Sequence, residues 1–215
     1  MARLPERRPL LYYITDRKAL PNQDPLAVIA TAIAAGVDLI QLRERDLDTR
    51  ALLALVERAV ELARGTPTRI LVNDRLDIAL AAGADGIHLP VHSFPVALVR
   101  EKAGEALLIG ASTHNLEELR TAERGGADFV VFGPVFETPS KRDYGPPLGL
   151  EKLAEAVQTA KIPVLALGGI NLTNAADCLR VGATGLAAIS LFQASTNLRQ
   201  TVAQLRQLAG VAPGP

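Results

Sequence analysis

Eight short apolar runs alternate with longer amphipathic stretches, and this alternation constrains the fold more than any other feature of the chain. The runs are LLYYITD from Leu10, VDLIQLRE from Val37, RILVND from Arg69, GIHLP from Gly86, LLIGAS from Leu107, DFVVFGP from Asp128, IPVLALGG from Ile162 and GLAAISLF from Gly185. They lack strict polar–apolar alternation, which is typical of parallel strands covered on both faces. Strands that alternate with helices predict a parallel sheet.

The length fits one closed barrel. The chain has 215 residues, and a barrel of eight β/α units needs roughly 200 to 250. We therefore predict an α/β fold, a single-domain (β/α)8 TIM barrel over residues 1–215, with a frayed tail at 209–215. An open doubly wound sheet is the competing fold, but it usually has fewer strands and requires a reversal of strand order.

An internal repeat supports the barrel. Its copies are AGVDLIQL from Ala35, AGADGIHL from Ala82, GGADFVVF from Gly125 and VGATGLAA from Val181. Each copy ends a helix with glycine, the usual residue for the left-handed turn there, and then enters an even-numbered strand. Helix starts are also marked, by Asp24 before Pro25 and by Asn115 three residues before Glu118. The repeat predicts a barrel of four quarter units.

Composition excludes several classes of function. The formal net charge is zero, so nothing indicates nucleic acid or an anionic membrane as a partner. The N-terminal MARLPERRPL lacks the apolar stretch of a secretory signal, and no apolar run approaches the ~18 residues of a membrane span. The single Cys178 allows no internal disulfide and suits the core of a helix. We expect a cytoplasmic location.

Polar residues cluster where the second, third and fifth strands end. Gln41, Arg43 and Arg45 share one side of the second strand, and arginines cannot enter a dry core without partners. They are expected at the barrel mouth, where active sites of this fold lie; a solvated strand end with local salt bridges is the alternative. Asn73-Asp74 could bind a polar ring and a cation, or simply cap the next helix, and the segment 112–114 at the end of the fifth strand could likewise serve only as a cap.

Two segments further along suit phosphate. The long loop at 133–149 carries Thr138, Ser140 and Lys141, and hydroxyls beside a lysine fit phosphate oxygens, although a mobile solvated loop is the alternative. Gly169 follows the seventh strand, and the eighth ends at Ile189 and Ser190. Backbone N–H groups after these two strands commonly bind phosphate in this fold.

In this order the segments resemble the thiamine phosphate synthase family. The matching pieces are YYITD from Tyr12, QLRER from Gln41, LVNDRLDIAL from Leu71, GADGIHL from Gly83, IGAST from Ile109, GADFVVFGPVFETPSK from Gly126, IPVLALGGIN from Ile162 and GLAAIS from Gly185. The resemblance implies coupling of 4-amino-2-methyl-5-pyrimidinylmethyl diphosphate to hydroxyethylthiazole phosphate. The products would be thiamine phosphate and diphosphate, with Mg²⁺ as cofactor.

The resemblance also implies roles for single residues. The implied substrate-binding residues are Gln41, Leu42, Arg43, Glu44, Arg45, Asn73, Ser112, Thr138, Pro139, Ser140, Lys141, Gly169, Ile189 and Ser190. The implied catalytic residues are Arg43, Lys141 and His114, and the implied Mg²⁺ ligand is Asp74. The sequence does not determine whether the chain forms a homo-oligomer.

The chain departs from the family pattern at two positions. Arg45 stands where the synthases usually have Lys, and Ser93 stands where they usually have a second Mg²⁺ carboxylate. The stretch HLPVHSF around Ser93 also resembles the sister enzyme thiazole tautomerase, which needs no metal and is thought to move a proton with a histidine matching His114. Asp74 favours the synthase. A tautomerase and a non-catalytic binder of thiazole phosphate or thiamine phosphate remain the alternatives.

Overall fold

Eight parallel strands close into a barrel in the computed structural model, which describes residues 3–20, 24–138 and 146–208. The strands are β1 (Leu10–Ile14), β2 (Leu39–Leu42), β3 (Arg69–Asn73), β4 (Gly86–Leu89), β5 (Leu108–Thr113), β6 (Phe129–Phe132), β7 (Val164–Leu167) and β8 (Gly185–Ala188). Each strand pairs with its sequence neighbours, and β8 pairs with β1. The predicted fold class is confirmed.

Helices follow the strands around the outside. They are α1 (Pro25–Ala35), α2 (Thr49–Ala63), α3 (Leu76–Ala81), α4 (Val96–Ala103), α5 (Leu116–Arg124), α6 (Gly149–Thr159), α7 (Ala175–Arg180), α8 (Ser190–Gln193) and α9 (Leu198–Gln207). The Asp24 side chain accepts from the Leu26 N–H before α1, and the Asn115 side chain accepts from the Glu118 N–H before α5. Both predicted helix starts are confirmed. None of the described helices is long and apolar enough to span a membrane.

Strand residues alternate between two separate apolar layers, as barrel geometry requires. The inner layer comprises Leu10, Tyr12, Ile14, Leu39, Leu71, Phe129, Val131, Leu165 and Ala187. Their strand neighbours, such as Leu11, Ile40 and Leu42, belong to the larger layer that packs against the helices. Leu167 and Ile189, at the carboxyl ends of β7 and β8, are only partly buried and border the inner layer. The inner core therefore ends below the mouth formed by the carboxyl ends of the strands.

The internal repeat has a hydrogen-bonding role at the opposite face. In three copies the repeat aspartate accepts a backbone N–H from the preceding strand: Asp38 from Leu11, Asp85 from Ile70 and Asp128 from Ile109. Each aspartate also pairs with an arginine. The fourth copy has Thr184, which shares only the backbone bond, from its N–H to Val164 O. The repeat thus fixes strand register in three quarters of the barrel. The predicted tail at 209–215 lies outside the described residues.

Candidate active site at the barrel mouth

The inward-facing positions at the carboxyl ends of β2 and β3 carry polar side chains. Gln41 continues the inward side of β2 above Leu39, is 1% exposed, and donates from Nε2 to the Tyr12 hydroxyl at 2.7 Å. Asn73 holds the same side of β3 above Leu71 and is 9% exposed. Arg43 follows the end of β2 and is half-buried. The predicted alternation is confirmed within β2 and directs Gln41 to the mouth. Arg43 lies beyond the end of β2, so its place at the mouth stays a prediction.

The remaining residues of the QLRER segment lie in three different surroundings. The Leu42 side chain packs in the outer layer, so only its backbone can face a ligand in the mouth. The Glu44 carboxylate is buried and accepts from the Thr15 hydroxyl at 2.5 Å and from the Arg17 N–H at 3.1 Å. Arg45 is exposed. Within this segment Glu44 binds the loop after β1, while Gln41 and Arg43 remain the side chains best suited to a ligand.

The Thr15 hydroxyl joins the ends of the first two strands. It donates to Glu44 Oε1 and accepts from the Arg43 N–H at 3.1 Å. Burial raises the pKa of Glu44, and the hydrogen bonds from Thr15 and Arg17 oppose that rise. The hydrogen bond from its N–H to Thr15 therefore fixes the backbone of Arg43 against the end of β1.

Asp74 and Ser93 meet at the edge of the mouth. Asp74 follows β3 with a φ of +63°, a left-handed conformation that is uncommon outside glycine and that aspartate tolerates better than most residues. Its carboxylate is exposed and accepts a hydrogen bond from the Ser93 hydroxyl. The loop after β4 therefore brings the Ser93 hydroxyl into contact with Asp74. No cluster of three His, Cys, Asp or Glu side chains suited to a metal exists among the described residues.

His88 is a residue of the mouth that the sequence reasoning missed. It lies on β4 at 3% exposure, and its Nε2 is 2.9 Å from Ser112 Oγ on β5. Its ring contacts those of Tyr12 and Phe129 at centroid distances of 5.7 and 6.2 Å. Burial, and then the nearby charge of Arg43, lower the pKa of His88 to about 3. The sequence does offer one indication: His88 lies two residues after Gly86, so both lie on the inward-facing side of β4.

His114 is oriented by the backbone of a neighbouring strand end. Its Nδ1 lies 2.5 Å from the Gly133 carbonyl oxygen, and its own N–H donates to Glu118 Oε2 at 2.7 Å. A carbonyl oxygen can only accept, so Nδ1 carries the proton. In the neutral ring Nε2 then keeps a lone pair and can act as a base.

The loop after β6 packs closely on the end of β7. The N–H of Phe136 donates to Gly168 O at 3.0 Å, and a Cβ at Gly169 would lie 2.4 Å from Glu137 O. The glycines after β7 are thus required by this backbone contact, whether or not they also bind phosphate as predicted. Thr138 is half-buried at the end of the contact. The predicted Pro139, Ser140 and Lys141 lie outside the described residues.

The eighth strand leads into the short helix α8 at the same mouth. Ile189 borders the inner layer and the exposed Ser190 begins α8. Gln193, at the end of α8, accepts from the Tyr13 hydroxyl at 2.9 Å and donates to Asp16 O at 2.7 Å. These bonds fix α8 against the end of β1, so Ile189 and Ser190 keep a defined position beside β7.

Comparison with known proteins agrees with this geometry. A family model described as thiamine monophosphate synthase matches residues 11–192. A putative thiamine-phosphate synthase from Geobacter sulfurreducens is 46% identical over 198 residues, covering 92% of this chain and 93% of that protein. The thiamine-phosphate synthase of Roseiflexus castenholzii is 41% identical, covering 86% of this chain and 82% of its own. The solved thiamine phosphate pyrophosphorylase from Pyrococcus furiosus superposes with a TM-score of 0.84 at 35% identity, covering 95% of this chain and 98% of that structure.

The barrel and its mouth define a (β/α)8 protein with a polar site at the carboxyl ends of its strands. The chain belongs to the thiamine monophosphate synthase family.

Proposed function

We propose that this chain is a thiamine phosphate synthase. It joins 4-amino-2-methyl-5-pyrimidinylmethyl diphosphate to hydroxyethylthiazole phosphate and releases diphosphate. One observation carries the proposal: Gln41, Asn73 and Ser112 occupy inward-facing positions on β2, β3 and β5, with the Asp74 carboxylate directly after Asn73. Amide and hydroxyl groups suit a polar pyrimidine ring, and family membership supports the assignment.

The coupling requires charge stabilisation more than a nucleophilic side chain. The C–O bond between the pyrimidine methylene and the diphosphate breaks, and the electron pair leaves with the diphosphate. The thiazole nitrogen supplies the pair for the new C–N bond. We assign Arg43 and Lys141 to the leaving diphosphate, because preorganised positive groups stabilise developing negative charge. Holding both substrates in one mouth supplies the proximity that the reaction needs.

The residues present fit Mg²⁺, but with one carboxylate ligand instead of two. Asp74 offers one exposed carboxylate, and Ser93 offers a hydroxyl where a second carboxylate would serve better. Mg²⁺ is often bound through one or two carboxylates together with substrate phosphates and waters, so Asp74 can hold it. A bound Mg²⁺ would neutralise charge on the diphosphate.

The thiazole phosphate is assigned to the opposite side of the mouth. Gly169, Ile189 and Ser190 lie after β7 and β8, and Thr138 lies on the loop that packs against Gly169. Phosphate binding after these two strands is common in this fold. With small phosphorylated substrates and no membrane-spanning helix among the described ones, a cytoplasmic location belongs to the same proposal.

An assay with both substrates and Mg²⁺ tests the proposal. Wild type should form thiamine phosphate and diphosphate in equal amounts. Asn73→Ala should raise KM for the pyrimidine substrate, whereas the matched Asn197→Ala, which removes only the cap of α9, should leave it unchanged. Absence of product from wild type would refute the proposed function.

Thiazole tautomerase is a second candidate, favoured by Ser93. The Nδ1 contact of His114 suits this reaction, but His114 also has a counterpart in the synthases and does not discriminate between the two. A neutral His114 with its proton on Nδ1 presents Nε2 as a base. If this function is right, isomerisation of the thiazole phosphate carboxylate proceeds in excess chelator and stops in His114→Ala. The exposed His92→Ala is the control. Isomerisation that survives His114→Ala would exclude this mechanism.

A further inference from the structure

The contact between His88 and Ser112 joins a buried histidine to a residue of the proposed pyrimidine site. His88 Nε2 and Ser112 Oγ are 2.9 Å apart, with His88 3% exposed and Ser112 half-buried at the mouth. Either atom could carry the hydrogen that lies between them. Which one carries it decides whether the Ser112 hydroxyl can donate to a ligand.

The second ring nitrogen resolves that choice. His88 Nδ1 is buried and has no hydrogen-bond partner within residues 3–20, 24–138 and 146–208. A neutral imidazole has one N–H and one lone pair, and burial of His88 at 3% exposure favours the uncharged ring. Buried N–H groups without partners are rarer in proteins than under-satisfied acceptors. The hydrogen therefore sits on Nε2, and Nδ1 keeps the lone pair.

The direction of the hydrogen bond then follows. Nε2–H donates to Ser112 Oγ, so the Ser112 hydroxyl hydrogen does not point at His88 and must donate elsewhere. Ser112 faces inward at the carboxyl end of β5, where the accessible partner is a molecule in the mouth. His88 itself is too buried to touch that molecule and acts only through Ser112.

We propose that His88 is a positioning residue that makes Ser112 a hydrogen-bond donor to an acceptor atom of the pyrimidine substrate. The proposal deepens the proposed synthase function and rests on it. It specifies the ligand chemistry that this hydroxyl hydrogen requires: an acceptor such as an unprotonated ring nitrogen or a phosphate oxygen.

The tautomer can be measured without any substrate. The chain has three histidines, so ¹⁵N NMR signals of the ring nitrogens can be assigned with His→Phe or His→Ala variants. We expect neutral His88 to carry its proton on Nε2 and His114 to carry it on Nδ1, since His114 Nδ1 faces a carbonyl oxygen. The opposite tautomers provide an internal reference. A proton on Nδ1 of His88 would overturn the proposal.

Substitutions test the role in binding. His88→Phe keeps an aromatic ring but loses the donor, whereas His88→Gln keeps an N–H that can reach Ser112. We expect His88→Phe to raise KM for the pyrimidine diphosphate about twofold to tenfold, the range of one lost hydrogen bond, with little change in kcat, and His88→Gln to restore most of it. Ser195→Ala, which removes a hydrogen bond to Thr201 on another part of the fold, is the control.

A double-mutant cycle separates positioning from general packing. If His88 acts only through Ser112, His88→Phe should add nothing to Ser112→Ala, and the two effects will not be additive. Additive effects would overturn the proposal even if both variants fold. Titration calorimetry with the pyrimidine diphosphate alone distinguishes the two failures: no binding to wild type refutes the proposed function and this role together, whereas equal binding to wild type and His88→Phe refutes only the role of His88.

Discussion

Single residues at the mouth take roles that their sequence neighbours do not disclose. Gln41 and Glu44 are three residues apart, yet Gln41 bonds the Tyr12 hydroxyl inside the barrel and Glu44 bonds the loop after β1. The parity of a strand explains Gln41. Glu44 lies beyond the end of β2, where parity no longer applies, so its partners depend on where that loop passes.

The contact between Ser93 and Asp74 leads to a prediction about the metal requirement of the proposed coupling. Its hydroxyl contacts the Asp74 carboxylate, so Ser93→Asp would put a second negative charge beside the cation. We expect the Mg²⁺ concentration for half-maximal coupling to fall about tenfold, equivalent to roughly 1.4 kcal/mol. Ser93→Asn, similar in size to Asp but uncharged, is the control. A metal titration in which both variants behave alike would contradict this account of the loop.

Glu44 makes stability depend on pH. Burial raises the pKa of its carboxyl, with Thr15, Asp16 and Arg17 as the neighbouring groups. A raised native pKa means that the folded state holds the proton more tightly. The contribution to stability is therefore complete below the ordinary value of about 4.3 and is lost as the pH rises through the native value.

Glu44→Gln does not titrate and isolates this effect. The free energy of unfolding of wild type minus that of Glu44→Gln should decrease as the pH rises from about 4 and then become constant. Urea unfolding of both proteins at a series of pH values measures it. A difference that instead increased with pH would mean that the native pKa is lowered.

At the scale of elements, the loop after β6 and the end of β7 form one unit. Gly168 and Gly169 have φ values of +101° and +64°, and their missing Cβ atoms leave room for Pro134, Phe136 and Glu137. Sequence reasoning attributed this Gly-Gly pair to phosphate binding. The fold gives it a second cause, because the loop that leads to Thr138 can approach β7 only over glycine.

Two glycine substitutions separate conformation from contact. Gly65 has a φ of +74° and nothing within 4 Å of a Cβ, whereas a Cβ at Gly169 would meet Glu137 O at 2.4 Å. Gly65→Ala should cost about 1–2 kcal/mol for the left-handed backbone alone. Gly169→Ala should cost clearly more and weaken thiazole phosphate binding. Equal losses of unfolding free energy for the two variants, measured by urea unfolding, would show that the protein accommodates the contact with Glu137 without further cost.

At the scale of the whole molecule, the barrel is closed by contacts between its first and last elements. β8 pairs with β1, and Arg206 on α9 donates to Gly36 O at 2.9 Å and to Asp38 Oδ2 at 2.6 Å. Asp38 in turn accepts the Leu11 N–H at 2.7 Å. One arginine near the C-terminus thus ties the starts of the first two strands.

Loss of Arg206 should therefore destabilise the closed barrel strongly. The Arg206 and Asp38 side chains are 12% and 6% exposed, and removing one partner of a buried pair leaves an unpaired charge. We expect Arg206→Ala to cost about 3–5 kcal/mol, and adding Asp38→Asn to recover part of it. Arg180→Ala breaks an exposed pair with Asp177 and should change stability by less than about 1 kcal/mol. Calorimetry measures the free energy of unfolding of both variants. Similar losses for Arg206→Ala and Arg180→Ala would contradict the role of Arg206 in closing the barrel.

The sequence by itself determined the eight strands, their two-sided alternation and the helix starts at Asp24 and Asn115. These features depend on residues near one another in the chain, through side-chain period and capping hydrogen bonds. The tertiary structure alone decided that His88 meets Ser112, that Ser93 reaches Asp74 and that Glu44 is buried. Those pairs join different strand ends, and their distances depend on the register with which the closed barrel staggers its strands. The repeat aspartates help to hold that register at the opposite face. They do not show which side chains meet at the mouth, so only the folded barrel could reveal these pairs.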